Sequence, residues 1–548
     1  MPAVKEHHSD DKLPVGDHLE QVEDLESAKG PKYKANTQLD DAARILAEAG
    51  TVEASLEDRK RVLRRIDIYV CIPMCLVYFL QQLDKSSLSY AAVFDLQKET
   101  NLHGTQFSWL TSVVYIMQLV TQPLSSYSLI AFPVKYWVVF NMVSWSIVTA
   151  STGAAKNFTG LVICRLLLGF FEATILPSCV LITQMWWTRR EQSYRTIAYQ
   201  IANSMAAIWG PLLSYGIGHV NSGIRPYQGI FLFMGCLSLA LAPVVWWLLP
   251  NSPTTARFLR HGNDRLIALE RLRENNTGTK SSKFNWAQVW ETYRDPKTWM
   301  WAGMFICCST PSGGFGTFGG LITKGFGFNS FHSVLMQMPT GVIGIIVLLI
   351  SIYVTNRYKL RFPVVAVLCI FPIAGGTALT QVSRKNTNGL LASYYVAQMF
   401  TGLQPLLFSW ANLNAAGTTK RVVTTATMFV FQCAGNVIGP QVYLSHEAPV
   451  YLTGLYVDIA CWCMLLILAL SMGVYLNVLN KRKEAQRVAM GLPANLKDMS
   501  IMTTEEADAY RKELSARLAA EGFDESRLWG QAFDDMTDFE NPMFAYVL

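Results

Sequence analysis

The sequence predicts an all-α membrane protein of about twelve transmembrane helices in two pseudo-symmetric six-helix halves. Three observations carry that reading. Hydrophobic residues make up 51% of the 548 positions and charged residues 16%, where a soluble chain carries about 25% charge. Apolar runs of the length a bilayer demands, roughly 20 residues, recur six times before a polar segment at 250–297 and six times after it. Lys and Arg gather in alternate loops, the pattern that sets topology.

Residues 1–65 are polar and mixed in charge, with no apolar core of a cleavable signal peptide. Gln38 to Asp58 includes a candidate short helix, and the rest of this tail reads as disordered. Arg59-Lys60-Arg61 and Arg64-Arg65 directly precede the first apolar run, which places this tail in the cytoplasm. The first span, Ile66–Val93, holds Asp84-Lys85-Ser86-Ser87 within its apolar limits. The second to sixth follow near Phe107–Ile130, Val134–Ala154, Phe158–Trp186, Thr196–His219 and Gln228–Leu249. These form a first half over 66–249. The segment 250–297 is basic, with an amphipathic helical piece at Asp264–Glu274. The second half, 298–478, has spans near Trp299–Ile322, Phe331–Val354, Pro363–Val382, Leu390–Ala411, Val422–Leu444 and Leu455–Val478. Arg189, Arg190 and Arg195, then Arg357, Lys359 and Arg361, then Lys420 and Arg421, fall in loops expected on the cytoplasmic side. A cytoplasmic tail fills 479–548, and its Thr503 and Glu506 have capping-box spacing at the start of an amphipathic stretch to about Ala520.

The fourth span carries two full charges, Arg165 and Glu172. Each costs about 2.5–3.5 kcal/mol in an inserted helix. Seven residues separate them, so they share a face about 10 Å apart along the axis. Either they satisfy polar partners in the bundle, or both face one polar cavity as a charge-handling site. Gly169 lies between them and admits a neighbouring helix. Further span residues able to shape a cavity are Gln200 and Asn203 in the fifth span, Gln337 in the eighth, Gln404 in the tenth, and Gln432 and Asn436 in the eleventh; the alternative for each is an interhelical hydrogen bond. Gly313, Gly314 and Gly316, inside Pro311–Gly320, predict a flexible or broken seventh helix suited to gating, or close helix packing. Asp84 is expected beside a cation, and Asp458 at the membrane interface.

Other classes are disfavoured. The net charge of +6 is modest and sits beside apolar spans, a topological pattern that does not suggest nucleic acid. Most of the 11 Cys lie within apolar runs and none forms a CxxC pair. The His residues are scattered, and HExxH and GxSxG motifs are absent, so neither an enzyme, a metal site nor a cofactor is indicated.

Several stretches, in order and at these spacings, carry a resemblance. They are Leu83 to Ala91, Arg165 to Ala173, Trp186 to Arg195, Leu249 to Leu259, Gly435 to Gln441, Glu447-Ala-Pro449 and Met536 to Tyr546. In these the chain resembles fungal major facilitator superfamily transporters of the anion:cation symporter group, specifically the allantoate permease-like branch. The loop Ser128–Trp137, with Lys135 as its one basic residue, departs from the Gly/Asp/Arg signature usual in that superfamily. The resemblance implies the major facilitator fold, alternating access and a small carboxylate-bearing nutrient as substrate. It implies that Lys85 binds the anion, that Arg165 assists it or tunes Glu172, and that Glu172 exchanges the coupling proton. Export of a fungal secondary metabolite, or a non-transporting nutrient sensor, are the alternatives. A monomer in the plasma membrane is expected, with both termini in the cytoplasm.

Overall fold

The computed structural model describes residues 55–220, 223–259, 263–273, 285–490, 536–542 and 544–548. The candidate helical residues before Ser55 and the Thr503–Ala520 stretch lie outside them. Among the described residues every regular element is helical. Helix α1 (Leu56–Ile66) starts on Ser55, whose hydroxyl accepts from the Asp58 N–H at 3.1 Å. It runs through a π-helical turn, Asp67–Cys71, into α2 (Ile72–Val93). Then come α3 (Gln106–Ala131), α4 (Val134–Thr152), α5 (Phe158–Glu172), α6 (Ile175–Trp186), α7 (Arg189–Gly218) and α8 (Pro226–Leu248). The polar connection holds α9 (Asp264–Arg273) and α10 (Trp286–Arg294). The second set is α11 (Pro296–Lys324), α12 (Ser330–Leu335), α13 (Met338–Tyr358), α14 (Phe362–Gln381), α15 (Thr387–Ala397), α16 (Leu403–Leu413), α17 (Thr418–Gln441) and α18 (Leu452–Ala489). Among the described residues, seven helices are long and apolar enough by composition alone to cross a membrane. Ile72, Val120, Leu124, Ile350 and Val474 are each more than half exposed, as suits side chains that face lipid.

Three of the expected continuous spans are interrupted, and a proline lies on the C-terminal side of each break. A proline lacks the N–H for the carbonyl four residues back, and its ring crowds that carbonyl. Pro177 does this to Ala173, where α5 ends and α6 has yet to begin. Pro339 does it to Leu335, the last residue of α12. Pro405 does it to Thr401, inside the 3-10 stretch Gln398–Gly402 that joins α15 to α16. The seventh span differs from the expected broken helix. Helix α11 is continuous through Pro311, and Gly313 and Gly314 serve packing, whereas a Cβ on Gly316 would meet nothing within 4 Å. A Cβ on Gly439 of α17 would lie 2.2 Å from the Thr310 carbonyl oxygen, and one on Gly313 would lie 2.9 Å from that of Asn436. The expected close approach at Gly169 is present, where a Cβ would stand 2.5 Å from Val114 O.

The end of the bundle where α1 begins and α18 finishes is termed the terminal end, and the opposite one the far end. At the terminal end of the first half, the basic cluster has partners. Arg61 and Arg65 hold Asp264 of α9 at 2.8 and 2.6 Å, Arg195 holds Asp67 at 2.7 Å, and Arg271 holds Glu191 at 2.7 Å. At the terminal end of the second half, residues 536–542 and 544–548 return to the bundle. Asp538 and Thr537 have no exposed surface, and Tyr546 and Val547 are buried. Asp538 pairs with Lys297 of α11 and with Lys420 of α17, the latter at 2.8 Å.

The halves meet toward the far end. Lys324 Nζ donates to Val93 O at 2.8 Å and lies 3.3 Å from Asp95 Oδ1. Thr317 donates to Thr111 at 3.1 Å, Ser112 to Val437 O at 2.8 Å, and Gln441 to Ser112 at 2.9 Å. Ser445 donates to Gly104 O. The ring of Phe331 sits against Phe94 and His219, with centroids 5.5 and 4.2 Å apart.

Candidate functional site

A cavity of about 370 Å³ lies between the two sets of helices, within the range of small-molecule sites, about 300–1,000 Å³. All three proline interruptions open onto it: Glu172 and Ala173 from the first, Gln337 and Thr340 from the second, Gln398, Phe400, Thr401 and Gln404 from the third. Irregular backbone at membrane depth is tolerated where it lines a cavity. Each break coincides with a carbonyl that a proline four residues on leaves without its helical donor, and the breaks bring polar side chains to one place.

Lys85 and Glu172 are the charged residues among the described lining. Lys85 Nζ stands 3.7 Å from Glu172 Oε2. The Lys85 side chain keeps 23% of its surface, whereas that of Glu172 keeps none. Lys85 lies over the Tyr115 ring, 5.0 Å from its centroid, a cation–π contact that favours the cation away from bulk water. Gln118 Nε2 donates to Glu172 Oε2 and Gln81 Nε2 to the Glu172 carbonyl, each at 3.3 Å. Glu172 Oε1 is buried without a hydrogen-bond partner. As the last residue of α5, Glu172 sits where the helical ladder is broken, so even its main-chain oxygen takes a side-chain donor.

Of the remaining expected site residues, Gln200, Asn203, Gln432, Asn436, Gly313 and Gly316 line the cavity, as do Gln337 and Gln404. Asn436 donates to Gln432 O within its own helix at 2.9 Å, which is not an interhelical bond. Gly314 and Arg165 are not among the lining residues. A Cβ on Gly314 would meet the Tyr443 ring at 2.5 Å. Arg165 is 3% exposed, with its guanidinium over the Phe231 ring at 5.5 Å and its Nε unpartnered. The shared face expected for Arg165 and Glu172 therefore does not put both in the cavity; the Phe231 side of the bundle takes the Arg.

Two carboxyls depart from expectation. Asp84 accepts from Trp145 Nε1 at 3.0 Å and from Ser238 at 2.8 Å, so its donors are neutral side chains and not a cation. Asp458 is fully buried within the bundle and not exposed at its surface. It accepts from the Tyr443 hydroxyl at 2.6 Å.

Sequence reasoning missed Gln81, Gln82, Tyr115, Gln118, Gln122 and Gln398 of the lining. The signal was present. Gln81 with Lys85, and Gln118 with Gln122, have i, i+4 spacing, which stacks side chains on one helix face.

Comparisons with known proteins agree with this architecture. The family model described as Major Facilitator Superfamily matches residues 74–440. An uncharacterized transporter of Schizosaccharomyces pombe is 33% identical over 429 residues, 78% of this chain and 82% of that protein. The allantoate permease of Saccharomyces cerevisiae is 25% identical over 95% of this chain and 92% of its own length. The high-affinity nicotinic acid transporter of the same yeast is 26% identical over 78% and 80%. Among solved structures, a bacterial homolog of the human lysosomal transporter Spinster superposes with a TM-score of 0.55 at 14% identity, covering 76% of this chain and 96% of that one.

Proposed function

Because the chain belongs to the major facilitator superfamily, we propose that it imports a small organic anion together with a proton by alternating access. It is a membrane transporter of that superfamily and not an enzyme. The finer reading is a carboxylate nutrient of the allantoate, nicotinate or vitamin-acid kind, with the plasma membrane as location and both termini in the cytoplasm.

The observation that supports it is the Lys85–Glu172 pair in an amide-rich cavity whose other described lining residues are uncharged. A carboxylate leaving water for such a site needs a cation, since the desolvation cost is several kcal/mol per ion. Lys85 is the cation present, and Glu172 is the group that competes for it. Protonation of Glu172 releases Lys85 to the incoming anion. Loss of the anion returns Lys85 to Glu172, which then gives up its proton. Proton and anion thus favour each other's binding, the linkage a symporter requires. The surrounding amides of Gln200, Asn203, Gln432 and Asn436 offer donors and acceptors to the rest of the substrate, and Gly313 and Gly316 let α11 contribute backbone surface.

The test is uptake of a panel of radiolabelled organic acids in yeast expressing the chain, at pH 5 and pH 7, beside Lys85→Ala and Glu172→Gln. Acid-stimulated accumulation of one acid, lost in Lys85→Ala, is expected. Unchanged pH dependence in Glu172→Gln would sink the coupling role. No accumulation of any acid, with the protein at the cell surface, would favour export or sensing.

A further inference from the structure

We propose that residues 536–548 are a releasable brace: a peptide ligand, supplied in cis, for a built crevice at the terminal end of the second half. The crevice reads this segment as a peptide site would. The side-chain amide of Asn414 receives the Val547 N–H at 2.9 Å and donates to the Val547 carbonyl at 3.0 Å. Asn480 does the same for Tyr546, at 2.8 and 2.9 Å. Each amide thus satisfies both main-chain groups of one residue, as a neighbouring strand would. Trp410 Nε1 adds a second donor to Val547 O at 2.8 Å. Lys483 caps the carbonyls of Phe539 and Asn541 at 2.7 and 2.9 Å.

Two aromatic anchors and one acid complete the recognition. Lys420 lies over the Phe539 ring at 4.1 Å, and Lys297 over the Tyr546 ring at 4.5 Å. Asp538 pairs with both lysines and accepts from the Tyr546 hydroxyl at 2.9 Å.

The charge inventory argues that the crevice survives without its ligand. Asp295 Oδ2 is 3.4 Å from Lys297 and 3.3 Å from Lys420, and Glu291 is 2.8 Å from Lys420. Lys297 and Lys420 therefore keep two acids when Asp538 departs, so an uncompensated buried charge, the usual bar to such a release, does not arise at this pair. Lys483, whose acceptors Phe539 O and Asn541 O leave with the segment, is uncovered to water by the same step. The segment also joins parts that are otherwise separate in sequence: α10 and α11 through the Lys297 cluster, the α16–α17 turn through Asn414, and α18 through Asn480 and Lys483. Seated, it holds α18 to the other helix ends; released, it frees α18 to shift against α10, α11 and the α16–α17 turn, which stay tied to one another through Lys297–Asn414 O and Lys420–Glu291.

The test uses the full chain with a spin label at position 540, where Glu540 is exposed, after Cys236 is replaced. Labels on a seated segment give an immobile spectrum. A free 13-residue peptide of residues 536–548, in excess, is expected to raise the mobile fraction at least fivefold, and the same peptide with Asp538→Asn is not. Full chains carrying Asp538→Asn or Asn414→Ala are expected to be mobile without peptide. An immobile spectrum that neither the peptide nor either substitution alters would make the segment a permanent part of the fold and overturn the proposal. A mobile spectrum in the unsubstituted chain would overturn it as well. Neither result depends on the transported substrate.

Discussion

Lys85 and Glu172 face each other across the first and fourth spans with 3.7 Å between Nζ and Oε2. Their stability cost and their proposed transport role separate by substitution. Lys85→Ala leaves the buried Glu172 without its cation and is expected to cost about 2 kcal/mol. The double variant Lys85→Ala, Glu172→Gln removes the charge as well as its partner. It is expected to recover most of the lost stability and none of the transport. Thermal unfolding in detergent, beside uptake by the same variants, checks both halves of this expectation.

Lys324 ties the second half to the far end of α2, capping a helix-terminal carbonyl and pairing with Asp95. A cation at a helix C-terminus is favourable, and this one is lost whenever the far end opens. Lys324→Ala is expected to favour the open far end by about 1 kcal/mol, roughly fivefold in population. The reading is the labelling rate of a cysteine introduced at Thr111, whose hydroxyl bonds Thr317 in the closed arrangement. An unchanged rate would show that the bond does not hold that end shut.

Gly439 sits where α11 and α17 come closest, and its Cβ would meet a backbone oxygen that cannot rotate away. Gly439→Ala is expected to cost about 1–3 kcal/mol by overpacking. Gly216→Ala is the control, because a Cβ there meets nothing within 4 Å. Thermal midpoints of the two variants should differ clearly, with Gly216→Ala near the unsubstituted chain.

Burial pushes the Asp538 carboxyl up, but Lys297 and Lys420 outweigh it and hold the group below its ordinary value of 3.8. A carboxyl depressed on folding contributes stability that is present above its unfolded pKa and lost as pH falls through the folded one. The seating of residues 536–548 is therefore expected to be constant from pH 7 to pH 5 and to weaken only below about pH 4. The spin-label spectrum against pH tests this, and Asp538→Asn should flatten the response.

The span pattern was legible because a bilayer demands long apolar runs, and α3, α8, α14 and α17 fall close to where composition puts them. The charged pair was legible in part. Lys85 and Glu172 stand out as costly residues within apolar limits, yet periodicity alone cannot say which neighbour turns Arg165 toward Phe231. The interruptions at Pro177, Pro339 and Pro405 were readable in principle, but Pro311 leaves α11 unbroken, so proline alone does not fix where a helix yields. The docking of residues 536–548 was not legible. Its bonds are to Asn414, Asn480 and Lys420, and no local pattern links residues so distant in sequence.

The one Lys and one Glu of the described cavity lining also bear on membrane voltage. Empty, with Glu172 ionised, the pair sums to zero charge. Loaded with one monovalent anion and one proton, it again sums to zero. Moving a net charge across the bilayer is worth about 2.3 kcal/mol per 100 mV, and here neither the loaded stroke nor the empty return moves one through these two groups. On this reading the carrier draws on the pH gradient alone. Its accumulation ratio should be indifferent to depolarisation by valinomycin and potassium, and a dianion should be carried only at the expense of the electrical field.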